Sequence, residues 1–240
     1  MDGREFKDSI FEQLARVASA FASAKRMEII DVLAQGDRTV ESVALAADMT
    51  VANASRHLRI LRDAGLVAGR KKGVHVVYRV ADEAVVDGYR HLRTLTEMRV
   101  AEVRRLSEAF FGQVDGAEAV GFDELLARSD AGEVTVIDVR PSIEFNAGHL
   151  PGAINMPLDE LSARISELDP GTEVVAYCRG PYCVMAANAV SQLRSAGLQA
   201  HRLSGGPPDW FAEGHVLARG PERGRSHDVR HRAEEEGSKA

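Results

Sequence analysis

Glu173-Val174-Val175-Ala176-Tyr177-Cys178-Arg179-Gly180-Pro181-Tyr182-Cys183-Val184-Met185-Ala186-Ala187 runs from a short apolar segment, through a loop holding both cysteines of the chain, into a helical pattern. The spacing predicts a strand over 173–177 and a helix over 184–196. A loop of successive backbone N–H groups closed by a helix N-terminus stabilises an anion. A thiolate placed there is expected to have a lowered pKa and to act as a nucleophile at neutral pH. The competing reading is a buried cysteine acting as a small hydrophobe. The position after a parallel strand, beside Arg179 and Gly180, favours chemistry.

Working outward, the same alternation fills residues 120–203. Helices are expected near 122–129 and 158–167. Strands are expected at Val134-Thr135-Val136-Ile137-Asp138, near Ala153-Ile154-Asn155 and at 199–203. Short apolar strands alternating with helices indicate a parallel sheet covered on both faces.

The first hundred residues differ. Apolar positions at helical spacing predict helices over 10–22 and 25–34, a short helix over 39–49, and one from the cap Thr50 to about Asp63, stopped at Gly65. Strands at 66–70 and 75–80 follow, with Lys71-Lys72-Gly73-Val74 at the turn, then one long helix over 82–110. Phe111-Gly112-Gln113-Val114-Asp115-Gly116-Ala117 has no periodicity and reads as a linker. Residues 217–240 carry mixed charge and almost no apolar content, and are expected to be disordered. The expected division is therefore 1–111 as one domain, 112–119 as linker, 120–216 as a second domain, and 217–240 as tail.

The 240 residues, 45% hydrophobic and 28% charged, suit a soluble globular protein. No apolar run reaches the roughly 18 residues a membrane span needs. The mixed charge at the start is not a secretory signal, and two cysteines make no disulfide framework. A cytoplasmic location without membrane association is expected. The net charge of −6 misleads: residues 1–112 carry 18 Lys and Arg against 16 Asp and Glu, and the remainder 12 against 20. Within 50–79, Arg56, Arg59, Arg62, Arg70, Lys71, Lys72 and Arg79 face Asp63 alone. A basic block in one half and an acidic other half fit a nucleic-acid module joined to a second function.

Two short helices followed by a basic ribbon is the order of a winged helix-turn-helix, whose second helix enters the major groove. Ala54, Leu58 and Leu61 fall on the inner face of the 50–63 helix. Asn53, Ser55, Arg56 and Arg59 are left to meet DNA, and Lys71 and Lys72 suit phosphate contacts. An ordinary solvated charged face is the alternative on charge alone. Ser23-Ala24-Lys25-Arg26-Met27-Glu28-Ile29-Ile30-Asp31-Val32-Leu33, Ser55-Arg56-His57-Leu58-Arg59-Ile60-Leu61-Arg62-Asp63-Ala64-Gly65-Leu66-Val67 and Val77-Tyr78-Arg79-Val80 together resemble the ArsR-type repressors over about 10–105. The resemblance implies a homodimer, joined partly through its terminal helices, that binds double-stranded operator DNA and releases it when a signal arrives. It makes His57 a packing or capping residue. Val51 and Ala52 replace the small polar residues frequent there, and either touch thymine methyls or are simply tolerated. Residues 39–49 hold no cysteine, and His91 is the lone histidine of 82–110, so no metal site is expected.

In the second half, Ile137-Asp138-Val139-Arg140, Glu144-Phe145, Ala147-Gly148-His149-Leu150-Pro151-Gly152-Ala153-Ile154-Asn155, Tyr177-Cys178-Arg179-Gly180 and Leu203-Ser204-Gly205-Gly206 with Trp210 resemble a single rhodanese domain over about 118–215. The resemblance implies that Cys178 accepts sulfur as a persulfide. It implies too that the loop Arg179, Gly180, Pro181, Tyr182, Cys183 and Val184 stabilises the terminal sulfur through its amides. Arg179 is the candidate for holding an anionic donor, thiosulfate or a persulfide. Asp138, Arg140, Glu144 and His149 match framework positions that order the loops. Related phosphatases and arsenate reductases need an Arg at position 184. Valine there disfavours both reactions. Cys183 either attacks the persulfide on Cys178 or merely fills the loop. No cofactor is expected.

The expected fold is thus α and α/β: an N-terminal winged helix-turn-helix and a C-terminal rhodanese-like parallel sheet with helices on both faces. The expected function is a DNA-binding transcriptional regulator, a repressor, whose Cys178 accepts sulfane sulfur. One alternative is a sulfurtransferase enzyme that uses its DNA-binding half for targeting or autoregulation. Another is a rhodanese domain that is catalytically idle and binds a protein.

Overall fold

The computed structural model describes residues 1–114 and 119–221. Helix α1, Gly3–Phe21, starts at a capping box: Asp2 accepts from the N–H groups of Arg4 and Glu5, and Glu5 accepts from that of Asp2. Helix α2, Ala24–Ala34, follows a two-residue break at Ala22 and Ser23. A two-residue strand β1, Arg38–Thr39, leads into α3, Val40–Ala46, with the Thr39 hydroxyl accepting from the Ser42 N–H. Helix α4, Val51–Asp63, is capped as expected by Thr50, which accepts from the Asn53 N–H at 3.3 Å. Gly65, at φ +77°, ends it in the left-handed region. Strands β2, Val67–Lys72, and β3, His75–Val80, form a hairpin with Lys72 opposite His75. Strand β1 pairs with the other edge of β3, in the order β1-β3-β2. At two residues β1 is too short to show a period, and the sequence gives no sign of it.

Helix α5, Glu83–Arg99, and helix α6, Ala101–Val114, replace the single long helix expected over 82–110. The Thr96 hydroxyl donates to the Leu92 carbonyl, a bond that bends helices, and Val100 then takes an extended conformation at φ −110°, ψ 95°. Helix α6 also runs through 112–114, which the absence of periodicity assigns to the linker. The rest of that stretch, 115–118, and the expected tail from 222 onward lie outside the described residues. The near end of that tail is ordered: Ala218 and His149 exchange two backbone hydrogen bonds of 3.0 and 2.9 Å.

The chain divides into two units, Met1–Leu106 and Ser107–Ala240, each with its own apolar interior. In the first unit, Ile29, Ile30, Leu33, Val43, Ala54, Leu58 and Leu61 are buried together. These are the inner faces of α2, α3 and α4.

Beyond the end of α6, the second unit holds α7, Phe122–Asp130, and the strand β4, Val134–Asp138. Then come α8, Ser142–Ala147, β5, Ile154–Asn155, and α9, Leu158–Arg164. Strand β6, Glu173–Tyr177, precedes α10, Val184–Ser195, which leads to β7, Ala200–Arg202, and α11, Pro207–Ala212. The four strands are parallel in the order β5-β4-β6-β7. Alternate residues serve opposite faces. Ile137, Val174 and Ala176 pack with Leu161, Val190 and Leu193 of α9 and α10, whereas Val136, Val175 and Tyr177 pack with Phe122, Phe145 and Trp210. The sheet is therefore covered on both sides. Its central strand β6 delivers Cys178 to the rim.

Candidate functional site

Strand β6 ends at Tyr177 and α10 begins at Val184, so residues 178–183 must turn back at the carboxyl end of the sheet. The turn is closed by the Cys183 N–H donating to the Gly180 carbonyl at 3.1 Å, and by the Cys178 thiol donating to the Cys183 carbonyl at 3.3 Å. The N–H groups of Gly180 and Ala186 point at the Cys178 sulfur, and those of Arg179 and Met185 at the Cys183 sulfur. Cys178 is 2% exposed and Cys183 is half-buried, while Tyr182 and Val184 beside them are exposed.

This arrangement corrects one expectation. Burial, with the neighbouring Cys183, pushes the Cys178 thiol well above the ordinary cysteine range despite the loop amides. The thiol drawn downward is Cys183, by the hydrogen bond from Cys178, the Arg179 and Met185 amides and the Arg179 charge, against an opposing burial effect. Of the two thiols, Cys183 is therefore the more readily ionised.

A residue to which the sequence assigned no role holds the loop from behind. A side chain on Gly206 would overlap the Arg179 carbonyl and lie 2.6 Å from the Cys178 carbonyl oxygen. Only glycine admits so close a backbone approach. Gly206 is itself fixed by its N–H donating to Asp209 at 3.1 Å. Gly205 alongside leaves room for the Phe122 ring. The signal was visible in Ser204-Gly205-Gly206, but nothing in the sequence says which backbone the glycines face.

The four framework residues are buried, and two pairs of charges account for three of them. Arg140 is bidentate to Asp138, with contacts of 2.6 to 3.1 Å, and its guanidinium also donates to the Gly148 carbonyl at 2.8 Å. Burial opposes the Arg140 charge, but Asp138 more than offsets this and holds it above the usual arginine range. Glu144, on α8, grips Arg179 through three contacts of 2.8 to 3.2 Å. The Arg179 side chain, expected to hold an anionic donor, is thus turned to a buried carboxylate. His149 stacks on Phe145 at 3.6 Å, with Nδ1 2.8 Å from the Phe145 carbonyl. Asn155 was not singled out, yet its amide donates to the Asp138 and Arg140 carbonyls at 3.2 and 3.0 Å. It ties β5 to the turn after β4.

In the first unit, Ala54, Leu58 and Leu61 are fully buried, which leaves Asn53, Ser55, Arg56 and Arg59 exposed on the outer face of α4. Val51 and Ala52 are exposed at its start. Lys71 and Lys72 are exposed at the end of β2, next to the hairpin tip. Arg16 of α1 donates to the Asp63 carbonyl at the far end of α4. His57 is half-buried, and burial, then Arg26 and Arg56, push its pKa down. Phe6, Ile10, Phe11, Leu14 and Val17 form an exposed apolar stripe along α1, and Leu106 and Phe110 are exposed on α6. Among the described residues no group of three His, Cys, Asp or Glu is placed to hold a metal, and no helix is long and apolar enough to cross a membrane.

Residues 122–213 match the family described as rhodanese-like domain, and residues 23–68 match the bacterial regulatory protein, arsR family. The HTH-type transcriptional regulator Rv0324 of Mycobacterium tuberculosis is 41% identical over 208 residues, covering 87% of this chain and 91% of that protein. The thiosulfate sulfurtransferase GlpE of Shewanella oneidensis is 28% identical over 89 residues, 37% of this chain and 86% of its own length. The solution structure of the homodimeric winged helix-turn-helix DNA-binding domain of Mb0332 from Mycobacterium bovis is 35% identical. It covers 42% of this chain and 91% of that one, with a TM-score of 0.39. A relationship of this extent to Rv0324, spanning both units, means that the chain belongs to the HTH-type transcriptional regulators that join an arsR-family winged helix-turn-helix to a rhodanese-like domain.

Proposed function

We propose that this regulator binds operator DNA as a homodimer and that its rhodanese half accepts sulfane sulfur on Cys178, weakening that binding. The observation that carries the reading is the pair of thiols in a loop whose N–H groups converge on both sulfurs, in a chain whose other half presents a basic helix face. The Cys178 sulfur, giving up its proton as it reacts, attacks the outer sulfur of a persulfide, or the sulfane sulfur of thiosulfate, and the donor leaves as thiol or sulfite. The added sulfur carries the negative charge at the end of a longer side chain, where the loop N–H groups between Arg179 and Val184 are available to it, save Pro181, which has none, and Cys183, which donates to Gly180. The buried Asp138–Arg140 pair, Glu144 and His149 keep the surrounding loops in place.

On the DNA side, Asn53, Ser55, Arg56 and Arg59 meet bases and phosphates in the major groove, and Lys71 and Lys72 reach the flanking backbone. The apolar stripes of α1 and α6 are too extensive to leave in water and supply the dimer contact. Within this reading the DNA-binding half extends to about residue 111 and the rhodanese half over 120–216, and the protein acts in the cytoplasm as a repressor. No metal or organic cofactor takes part.

The test is binding of the purified protein to its own upstream DNA, with and without a persulfide donor, for wild type and Cys178→Ser. Binding lost only by the wild type, and restored by a thiol reductant, is the expected result. Equal binding in all four conditions overturns it. The likeness to a thiosulfate sulfurtransferase supports a second reading, an enzyme whose DNA binding is indifferent to Cys178. Sustained turnover of thiosulfate with unchanged DNA affinity would establish that one.

A further inference from the structure

Cys178 and Cys183 are the only thiols of the chain, and the loop brings them together. The Cys178 thiol donates to the Cys183 carbonyl, its sulfur 3.3 Å from that oxygen, and each thiol shifts the ionisation of the other. Their access to solvent is unequal. Cys178 is almost fully enclosed, and Cys183 is half-buried beside exposed Tyr182 and Val184. A thiol arriving from solution meets the outer sulfur of a Cys178 persulfide but not the inner one. Cys183 is already beside the inner one, and an internal nucleophile so placed outcompetes dissolved thiols by orders of magnitude.

Resting on the reading that Cys178 accepts sulfane sulfur, we infer that Cys183 resolves the Cys178 persulfide, releasing the accepted sulfur as sulfide and closing a Cys178–Cys183 disulfide. The Cys183 thiolate attacks the inner sulfur, Sγ of Cys178. The Cys178–Cys183 sulfur–sulfur bond forms, the bond from Cys178 to the added sulfur breaks, and that sulfur leaves with the electron pair and the persulfide's proton as hydrosulfide. The sulfane sulfur is reduced to sulfide and the two cysteines are oxidised to the disulfide, so no outside oxidant is required. The draw on Cys183 from the Arg179 and Met185 amides favours the attacking form. The alternative attack, on the outer sulfur, would only move the persulfide from one cysteine to the other. A thiol reductant resets the loop. The half thus becomes a persulfide reductase that records each turnover as a disulfide.

The experiment uses the full-length reduced protein under argon, treated with cysteine persulfide and, in parallel, with thiosulfate. Intact mass and released sulfide are read together. Wild type is expected to lose about 2 Da and to release sulfide in step with that loss. Cys183→Ser is expected to gain about 32 Da and to release at least about tenfold less sulfide. Cys183→Ala repeats the measurement without a hydroxyl in the loop. A wild type that keeps the added 32 Da, on either cysteine, without releasing sulfide overturns the inference while sparing the reading beneath it. If neither wild type nor the Cys183 variants gain sulfur or release sulfide, Cys178 is not an acceptor and both fall.

Discussion

The two halves place their functional residues on opposite sides of the solvent boundary. In the rhodanese half, Asp138, Arg140, Glu144 and His149 are buried and held by one another, by Arg179 or by backbone carbonyls. In the helix-turn-helix half, Asn53, Ser55, Arg56, Arg59, Lys71 and Lys72 stand in water, and the helix beneath is held by Ala54, Leu58 and Leu61. Site and stability are therefore inseparable in one half and independent in the other. A charge lost from the first removes a structural member. A charge lost from the second removes only a contact with DNA.

The sharpest way to break that contrast is Asp138→Asn. It leaves the Arg140 charge buried without its partner, which costs roughly 3–5 kcal/mol. Urea unfolding followed by Trp210, the chain's single tryptophan and a core residue of this half, should show the loss. An unchanged midpoint would mean that the buried pair is not structural. Gly206→Ala is expected next, at about 1–3 kcal/mol for overpacking against the Cys178 and Arg179 backbone. It should also abolish the mass change and sulfide release caused by a persulfide while leaving DNA affinity unchanged.

Arg56→Ala and Arg59→Ala test the other side of the contrast. Each should leave stability within about 0.5 kcal/mol of wild type. Each should weaken operator binding by roughly 1–3 kcal/mol if it reads a base, or lower the salt slope by about 1 if it meets a phosphate. Melting curves beside binding isotherms at several salt concentrations decide this, and a large shift in melting would erase the difference between the halves. The smallest expected effect is a pH dependence at His57. Its pKa in the fold lies below the ordinary 6.5 because burial disfavours the charged form. Its contribution is therefore present above that value and is lost as pH falls through the folded-state pKa. His57→Gln should flatten the stability of the first half across that window. A His57→Gln curve that fell as steeply as wild type would assign the dependence elsewhere.

The contrast also explains what could be read from the sequence. Periodicity marked α4 because it has one wet face and one dry face. The Thr50 cap and the Gly65 stop lie where local chemistry puts them. Strands β4 and β6 were legible for a different reason: they are short apolar runs buried on both faces of the sheet. What escaped notice depends on partners distant in the chain: β1 and its pairing with β3, the return of Ala218 to His149, the seating of Gly206 behind Cys178. The long helix over 82–110 failed locally, where the Thr96 hydroxyl competes for a helix carbonyl and Val100 turns extended. The loop at 178–183 was recognised by motif, but the distribution of charge between its thiols was not. That depends on how deeply each sulfur is enclosed.

Helix α10 begins without a side-chain cap, since Cys183 occupies that position with no oxygen to offer. The first-turn N–H groups of Met185 and Ala186 are turned instead toward sulfur. Sulfur chemistry in this loop thereby doubles as helix capping. A charged sulfur completes the first turn of α10, and a neutral disulfide leaves it incomplete. The folding equilibrium of that turn is coupled to the oxidation state of the thiols, so amide exchange at 185 and 186 should quicken when the loop is oxidised and slow when it is reduced or carries sulfur.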